Sequence, residues 1–340
     1  MLYFFNFLYY TDAGSTFFVL FMYLLHLHDN KFLASIVGLI AVMFRQTNII
    51  WTVFVAGLTA RKKLIDWIKL EDSNQYERRS KEDLQNNDDN VAISKILKIV
   101  INSLRKDMKI FYLIIDILIA SFFYIITILI FLGFVYINEG IVVGDRSHHT
   151  ACLNFPQMFY FISFTCVFAF PYIITPSRIM SFIKSLISHY IKAFVIVLIS
   201  LLLIHYFTYV HVYTLSDNRH FTFYVWSKIY NRHYLIKYLM TPLYMYSYWS
   251  CLSLLGHKDD IWKIIFGICI VAATIPQKLL EFRYFILPYI IFRLNIKEGS
   301  WLQLSAEMLL SIFINCTAVY LFVNKPFKWE NSMELQRFMW

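Results

Sequence analysis

The sequence has 340 residues, 59% of them hydrophobic and 19% aromatic, with a mean hydropathy of +0.56; a soluble domain averages about 45–50% apolar. The net charge is +9, from 31 Lys and Arg against 22 Asp and Glu. In a chain this apolar the bias reads as topology and lipid-headgroup contact, which excludes a nucleic-acid-binding role and a soluble globular domain and predicts an all-α, polytopic transmembrane helical bundle.

Residues 2–10 are apolar and aromatic but too few to cross a bilayer, and read as the tail of a helix. Thr11, Asp12, Gly14 and Ser15 make a polar break and a helix N-cap. Residues 17–28 read as a short span and 28–31 as a tight turn. Residues 32–60 are apolar except for Arg45, Gln46, Thr47 and Asn48. They form either one long tilted helix or two short spans meeting at a polar corner; the corner is preferred.

The character changes at residue 61. Twelve Lys and Arg lie between 61 and 109, and 71–90 is nearly free of hydrophobic residues. The positive-inside rule places 61–110 in the cytosol as a charged loop, its centre flexible. That fixes the side on which each later segment begins. Residues 112–137 span outward, 157–174 return, and 175–192 read as an interfacial helix. Residues 193–210, 234–255, 262–275, 285–296 and 302–323 complete roughly nine spans by the length rule. The chain thus divides into N-terminal transmembrane helices over 1–60, the cytosolic loop over 61–110, and a bundle over 111–323. Luminal loops lie at 138–156, 211–233 and 276–284, and a C-terminal tail at 324–340.

Three polar clusters fall on one side. The first holds Asp145, Arg146 and His148, the second Asp217, Asn218, Arg219 and His220, and the third Lys278, Glu281 and Arg283. An ionisable side chain at membrane depth costs roughly 2.5–3.5 kcal/mol on insertion scales, so such groups face polar cavities. Pro276 and Pro288 bracket the third cluster and predict a break in helix geometry at each end. Lys278 and Glu281 are i,i+3 neighbours and can pair as a structural ion pair. The alternative is an anion site, in which an Arg fork and a Lys point charge hold a lipid phosphate. Around Arg45, Gln46 and Asn48 the readings are a snorkelling turn or a binding corner. The two loop clusters read as sugar-recognition groups or as solvated loop. Asp12 reads as a helix cap or a catalytic carboxylate. The five cysteines show no C-x-x-C spacing, so neither a disulfide framework nor a metal site is expected. No P-loop, G-x-S-x-G, H-E-x-x-H or G-x-G-x-x-G occurs, which speaks against ATP-driven transport, serine hydrolysis, zincin proteolysis and dinucleotide binding.

The stretches YFFNFLYYTDAGS, MFRQTNIIW, GIVVGDRSHH, SDNRHFTFYVW, PQKLLEFRYFILPY and QRFMW closely resemble the dolichyl-phosphate-glucose-dependent alpha-1,2-glucosyltransferases of the endoplasmic reticulum, which are similar to other GT-C glycosyltransferases. The resemblance runs in order along the whole chain. QKLLEFRYFILP also resembles the H-K-E-x-R-F segment of GT-C mannosyltransferases, with Gln277 in place of the histidine. It implies a GT-C-like fold in a multi-pass protein of the endoplasmic reticulum membrane. The implied reaction is transfer of glucose from dolichyl phosphate glucose to a diglucosylated dolichyl-diphosphate oligosaccharide, the last glucose of the N-glycan precursor. No cofactor is implied.

Under that resemblance Arg45, Lys278 and Arg283 take the donor phosphate and Asp12 is the catalytic carboxylate or its helper. Gln46, Asn48, Asp145, Arg146, His148, Asp217, Arg219, His220 and Glu281 are sugar-contacting or structural. Family members carry upstream sequence, a first transmembrane helix and a large acidic luminal loop that in GT-C enzymes typically provides the catalytic carboxylate. The chain therefore reads as roughly the C-terminal three quarters of such a protein. The competing expectation is a non-catalytic membrane protein of the same lineage, acting at most as an interaction partner.

Overall fold

The structure, a computed structural model, describes residues 2–5, 10–76, 109–143, 151–329 and 333–339. Its helices are α1 (Leu2–Phe5), α2 (Asp12–Leu27), α3 (Lys31–Phe44), α4 (Ile49–Tyr76), α5 (Lys109–Ala120), α6 (Phe122–Ile137), α7 (Pro156–Phe168), α8 (Phe170–Ile173), α9 (Pro176–Ser188), α10 (Tyr190–Phe207), α11 (Val212–Ser216), α12 (Phe221–Lys228), α13 (Ile236–Leu239), α14 (Thr241–Leu254), α15 (Asp260–Thr274), α16 (Arg283–Asn295) and α17 (Trp301–Asn324). A two-stranded antiparallel hairpin, β1 (Phe327–Lys328) and β2 (Leu335–Gln336), follows α17. The chain is a helical membrane protein. Among the described residues α10 and α17 are long and apolar enough to cross a bilayer, and α5 with α6 makes a third candidate. The other apolar helices, including α2, α3 and α7, are shorter.

The chain folds as two compact units. One comprises residues 14–143 and 256–269, the other residues 1–13, 144–255 and 270–340.

In the first unit, Asp29 takes a left-handed conformation (φ 59°) and the Asn30 side chain accepts from Leu33 N, so the chain reverses tightly between α2 and α3. At Gly38 any side chain would stand 2.9 Å from Met22 Sδ and 3.1 Å from Thr52 Oγ1. A larger residue there would displace the Met22 and Thr52 side chains. Phe54 is the centre of the core, with Trp51, Trp262 and Phe266 rings 5.9–6.0 Å away, centroid to centroid. Asp259 caps α15 at Trp262 N (3.0 Å) and accepts from Arg61 Nε at 2.7 Å.

Two expectations change here. The charged stretch from residue 61 begins as helix, because α4 continues to Tyr76. Ile65 and Ile68 lie on its buried face while Lys62, Asp66 and Lys69 are exposed, so the charges mark an outer face and not a loop. The single span predicted over 112–137 is a pair of helices bent by 70° at Ser121. No proline or glycine stands there. Two sets of contacts hold the two halves: Asp116 of α5 pairs with Lys63 of α4 at 3.0 Å, while Phe123 and Thr127 of α6 contact Phe32 and the Ser35 carbonyl of α3.

In the second unit, Phe161 and Phe164 of α7, Trp226 of α12, and Leu280 and Phe285 pack into one aromatic core. Pro288, expected to end a helix, lies inside α16. It removes one backbone donor from the helix, but Phe285, Ile286, Ile291 and Phe292 are all buried around it and hold the helix through. Arg293 of α16 meets Glu307 of α17 through Nε and Nη2, both at 2.8 Å, and Tyr172 of α8 joins the pair. A Ser300–Gln303 capping box starts α17.

Candidate functional site

The segment 275–282 is not helical. Its carbonyl groups are satisfied by a distant part of the chain instead of by a helix ladder. Cys152 N donates to Pro276 O (3.2 Å) and Asn154 N to Ile275 O (3.1 Å). Gln157, buried at the start of α7, gives its side-chain Nε2 to both Gln277 O and Leu279 O, each at 3.2 Å. The loop at 151–157 is therefore the mould for the segment. Replacing Gln157 by Leu removes both donors and leaves two carbonyls to desolvation, a cost of about 1–3 kcal/mol. Thermal unfolding in detergent is expected to show Gln157→Leu several degrees below the parent; an unchanged midpoint would refute this role.

The helical i,i+3 geometry considered for Lys278 and Glu281 is not what this stretch adopts, because 275–282 is not helical. Glu281, 7% exposed, receives the Arg283 Nε. Arg283 Nη1 stands 4.0 Å from Asp12 Oδ2, and Asp12 is 3% exposed at the first turn of α2. The guanidinium lies 5.3 Å from the ring centre of Tyr10 and 5.6 Å from that of Tyr284. One arginine thus faces two buried carboxylates. Lys278 Nζ is 5.2 Å over the ring of Tyr209. Burial pushes the Cys152 thiol up and the Lys278 ammonium pulls it partly back, so the positive field of Lys278 reaches the loop at 151–157.

The cluster at 217–220 is ordered by its own residues. Asp217 accepts from Arg219 N (3.1 Å), Nε (2.9 Å) and Nη2 (2.7 Å), with His220 Nε2 at 3.7 Å. Burial opposes ionisation of Asp217, but the Arg219 bonds outweigh it and hold its carboxyl below the usual carboxylate range. The pair is ionised at neutral pH. Arg219 is held in its charged form first by Asp217 and also by the nearby Tyr10, the residue stacked on Arg283. Asp12, Glu281, Arg283, Tyr10, Arg219 and Asp217 are thus linked within one unit.

Arg45, Gln46 and Asn48 belong to the other unit. The polar corner exists: Arg45 has extended backbone between α3 and a 3-10 turn over Gln46–Asn48. Asn48 is 1% exposed and donates to Ala41 O (2.7 Å) and Ser15 Oγ (2.8 Å), which makes it the staple of the corner. Asp145, Arg146 and His148 lie outside the described residues. Among the described residues no group of three or more His, Cys, Asp or Glu is placed to hold a metal ion. Sequence reasoning missed Tyr10, Tyr209 and Gln157, which are neither charged nor in a cluster. Gln157 is a polar residue at the mouth of an apolar run, and that alone could have marked it.

The model of the DIE2/ALG10 family matches residues 1–294. The Mus musculus protein named Dol-P-Glc:Glc(2)Man(9)GlcNAc(2)-PP-Dol alpha-1,2-glucosyltransferase is 44% identical over 339 residues, covering 100% of this chain and 70% of its own length. Its namesake from Drosophila melanogaster is 35% identical over 344 residues (100% and 72%), and that from Arabidopsis thaliana 29% identical over 380 residues (99% and 73%). No solved structure matches.

Proposed function

The chain belongs to the DIE2/ALG10 family, and from that premise we propose that it transfers glucose from dolichyl phosphate glucose to the diglucosylated high-mannose dolichyl-diphosphate oligosaccharide, forming the terminal alpha-1,2 glucose. The similarity along the whole chain carries this reading. The protein acts as a multi-pass enzyme of the endoplasmic reticulum membrane, with roughly nine spans and its polar clusters in the lumen.

The reaction is a single displacement that inverts the anomeric centre. A carboxylate takes the proton from the acceptor 2-hydroxyl as its oxygen attacks, and dolichyl phosphate leaves with the electron pair of the broken bond. Asp12 is the base. Lys278 holds the departing phosphate, stabilising charge as it develops. Arg283, which faces Asp12 and Glu281, orients the base. Asp217, Arg219 and His220 contact the acceptor sugar.

Purified protein in lipid nanodiscs, given labelled dolichyl phosphate glucose and the diglucosylated acceptor, is expected to add one glucose that an alpha-1,2-specific glucosidase removes. Absence of transfer, or equal transfer to a monoglucosylated acceptor, would refute the proposal.

A further inference from the structure

Residues 325–329 and 333–339 do not trail from α17; they fold back onto the 217–221 loop. Met339 N donates to Arg219 O at 2.7 Å, and Phe221 N donates to Met339 O at 3.1 Å. Trp329 Nε1 donates to Asn218 Oδ1 at 2.6 Å, and the Arg219 guanidinium lies 4.9 Å over the Trp329 ring. Phe338 packs on Phe221, Tyr224 and Phe327. The other end of the hairpin is anchored where Arg337 Nη1 donates to Phe322 O (2.7 Å) at the end of α17.

The consequence falls on Arg219. Its Nε and Nη2 are taken by Asp217, one face is covered by Trp329, and its carbonyl is fixed by Met339. The side chain is nevertheless 34% exposed. A guanidinium held this way presents one outer edge in one orientation, which suits hydrogen bonding to the vicinal hydroxyls of a sugar. Tyr10 connects this residue electrostatically to the end of the unit that holds Asp12 and Arg283.

We propose that Trp329 is a positioning residue for acceptor recognition: the indole holds Asn218 and Arg219 so that Arg219 meets the hydroxyls of the terminal glucose of the acceptor. This rests on the glucosyl-transfer reading above. Fixing a group in its bound orientation beforehand lowers the ordering cost of binding, so the effect belongs in acceptor affinity and not in the chemical step.

Trp329→Ala is expected to raise the acceptor KM about tenfold, with kcat and the donor KM within about twofold of the parent. Trp329→Phe keeps a ring under Arg219 and loses only the indole donor, so it is expected to recover most of the acceptor KM. Titration calorimetry with the free diglucosylated oligosaccharide reads the same tenfold loss without turnover. A parent that binds no oligosaccharide and transfers nothing sinks the glucosyl-transfer reading itself. A parent that transfers, with an unchanged acceptor KM in Trp329→Ala, overturns the positioning role alone, as does a lowered kcat at constant KM.

Discussion

Asp12→Asn is expected to reduce kcat for glucosyl transfer by about 10²–10⁴-fold, the usual worth of a positioned general base, with the donor KM changed by less than about threefold. The substitution keeps the shape and the hydrogen-bonding capacity of the side chain and removes its ability to accept a proton. Asp12 is 3% exposed and sits 4.0 Å from the Arg283 guanidinium, which fixes where the carboxylate stands. Its position at the first turn of α2 adds the positive end of the helix dipole. A base so placed gains nothing from solvent reorganisation and acts through its geometry. The check is a steady-state assay at saturating donor and acceptor, with donor binding measured separately to confirm an intact site. A loss of less than tenfold would pass the proton transfer to another carboxylate and leave Asp12 as a helix cap.

Arg283→Gln carries the second large effect, on stability as well as rate. The guanidinium is the cation that both Asp12 and Glu281 face, and it also meets the rings of Tyr10 and Tyr284. Removing one member of a buried ionic cluster strands the other charges and costs about 3–5 kcal/mol. Arg283→Lys is expected to repair little of this, because an ammonium does not reach two carboxylates with separate nitrogens. The double variant Arg283→Gln with Glu281→Gln removes one of the stranded charges. It is expected to regain stability relative to Arg283→Gln alone while remaining inactive, because the base has lost its orienting partner. Melting midpoints of the parent, both single variants and the double variant form the cycle that measures this coupling. If the two substitutions simply add, the ion-pair explanation of the cluster is wrong.

The sequence made some of this legible and hid the rest for definable reasons. Lys278, Glu281 and Arg283 stand out because charge in an apolar run is costly anywhere. The polar corner at Arg45 is equally visible, since three hydrogen-bonding residues interrupt the helix pattern there. The partners of those charges were not legible. An i,i+3 pairing of Lys278 with Glu281 assumes a helix, whereas the carbonyls of Ile275, Pro276, Gln277 and Leu279 bond to Cys152, Asn154 and Gln157, more than a hundred residues away. Local spacing cannot announce a partner at that distance. Asp12 and Arg283 meet for the same kind of reason, through tertiary packing of the aromatic core that fixes Leu280 and Phe285. The helix over 61–76 was hidden by its charges, which read as a loop although Ile65 and Ile68 keep the helical period. The DNRH loop read as solvated or sugar-binding, and the hairpin that grips it lies beyond residue 325, in a stretch with no charge cluster of its own.

Membrane-impermeant maleimide applied to sealed microsomes decides whether the polar clusters of the second unit form one luminal site. Single cysteines would be placed at Ser216, Pro276 and Lys328, and at Lys62 and Gly256 as cytosolic references, all exposed positions. The background would lack Cys152, Cys166, Cys251, Cys269 and Cys316. The first three are expected to stay unlabelled until the membrane is permeabilised, while Lys62→Cys and Gly256→Cys react at once. Labelling of any of the first three in intact microsomes would put part of the site on the cytosolic side and overturn the single luminal site.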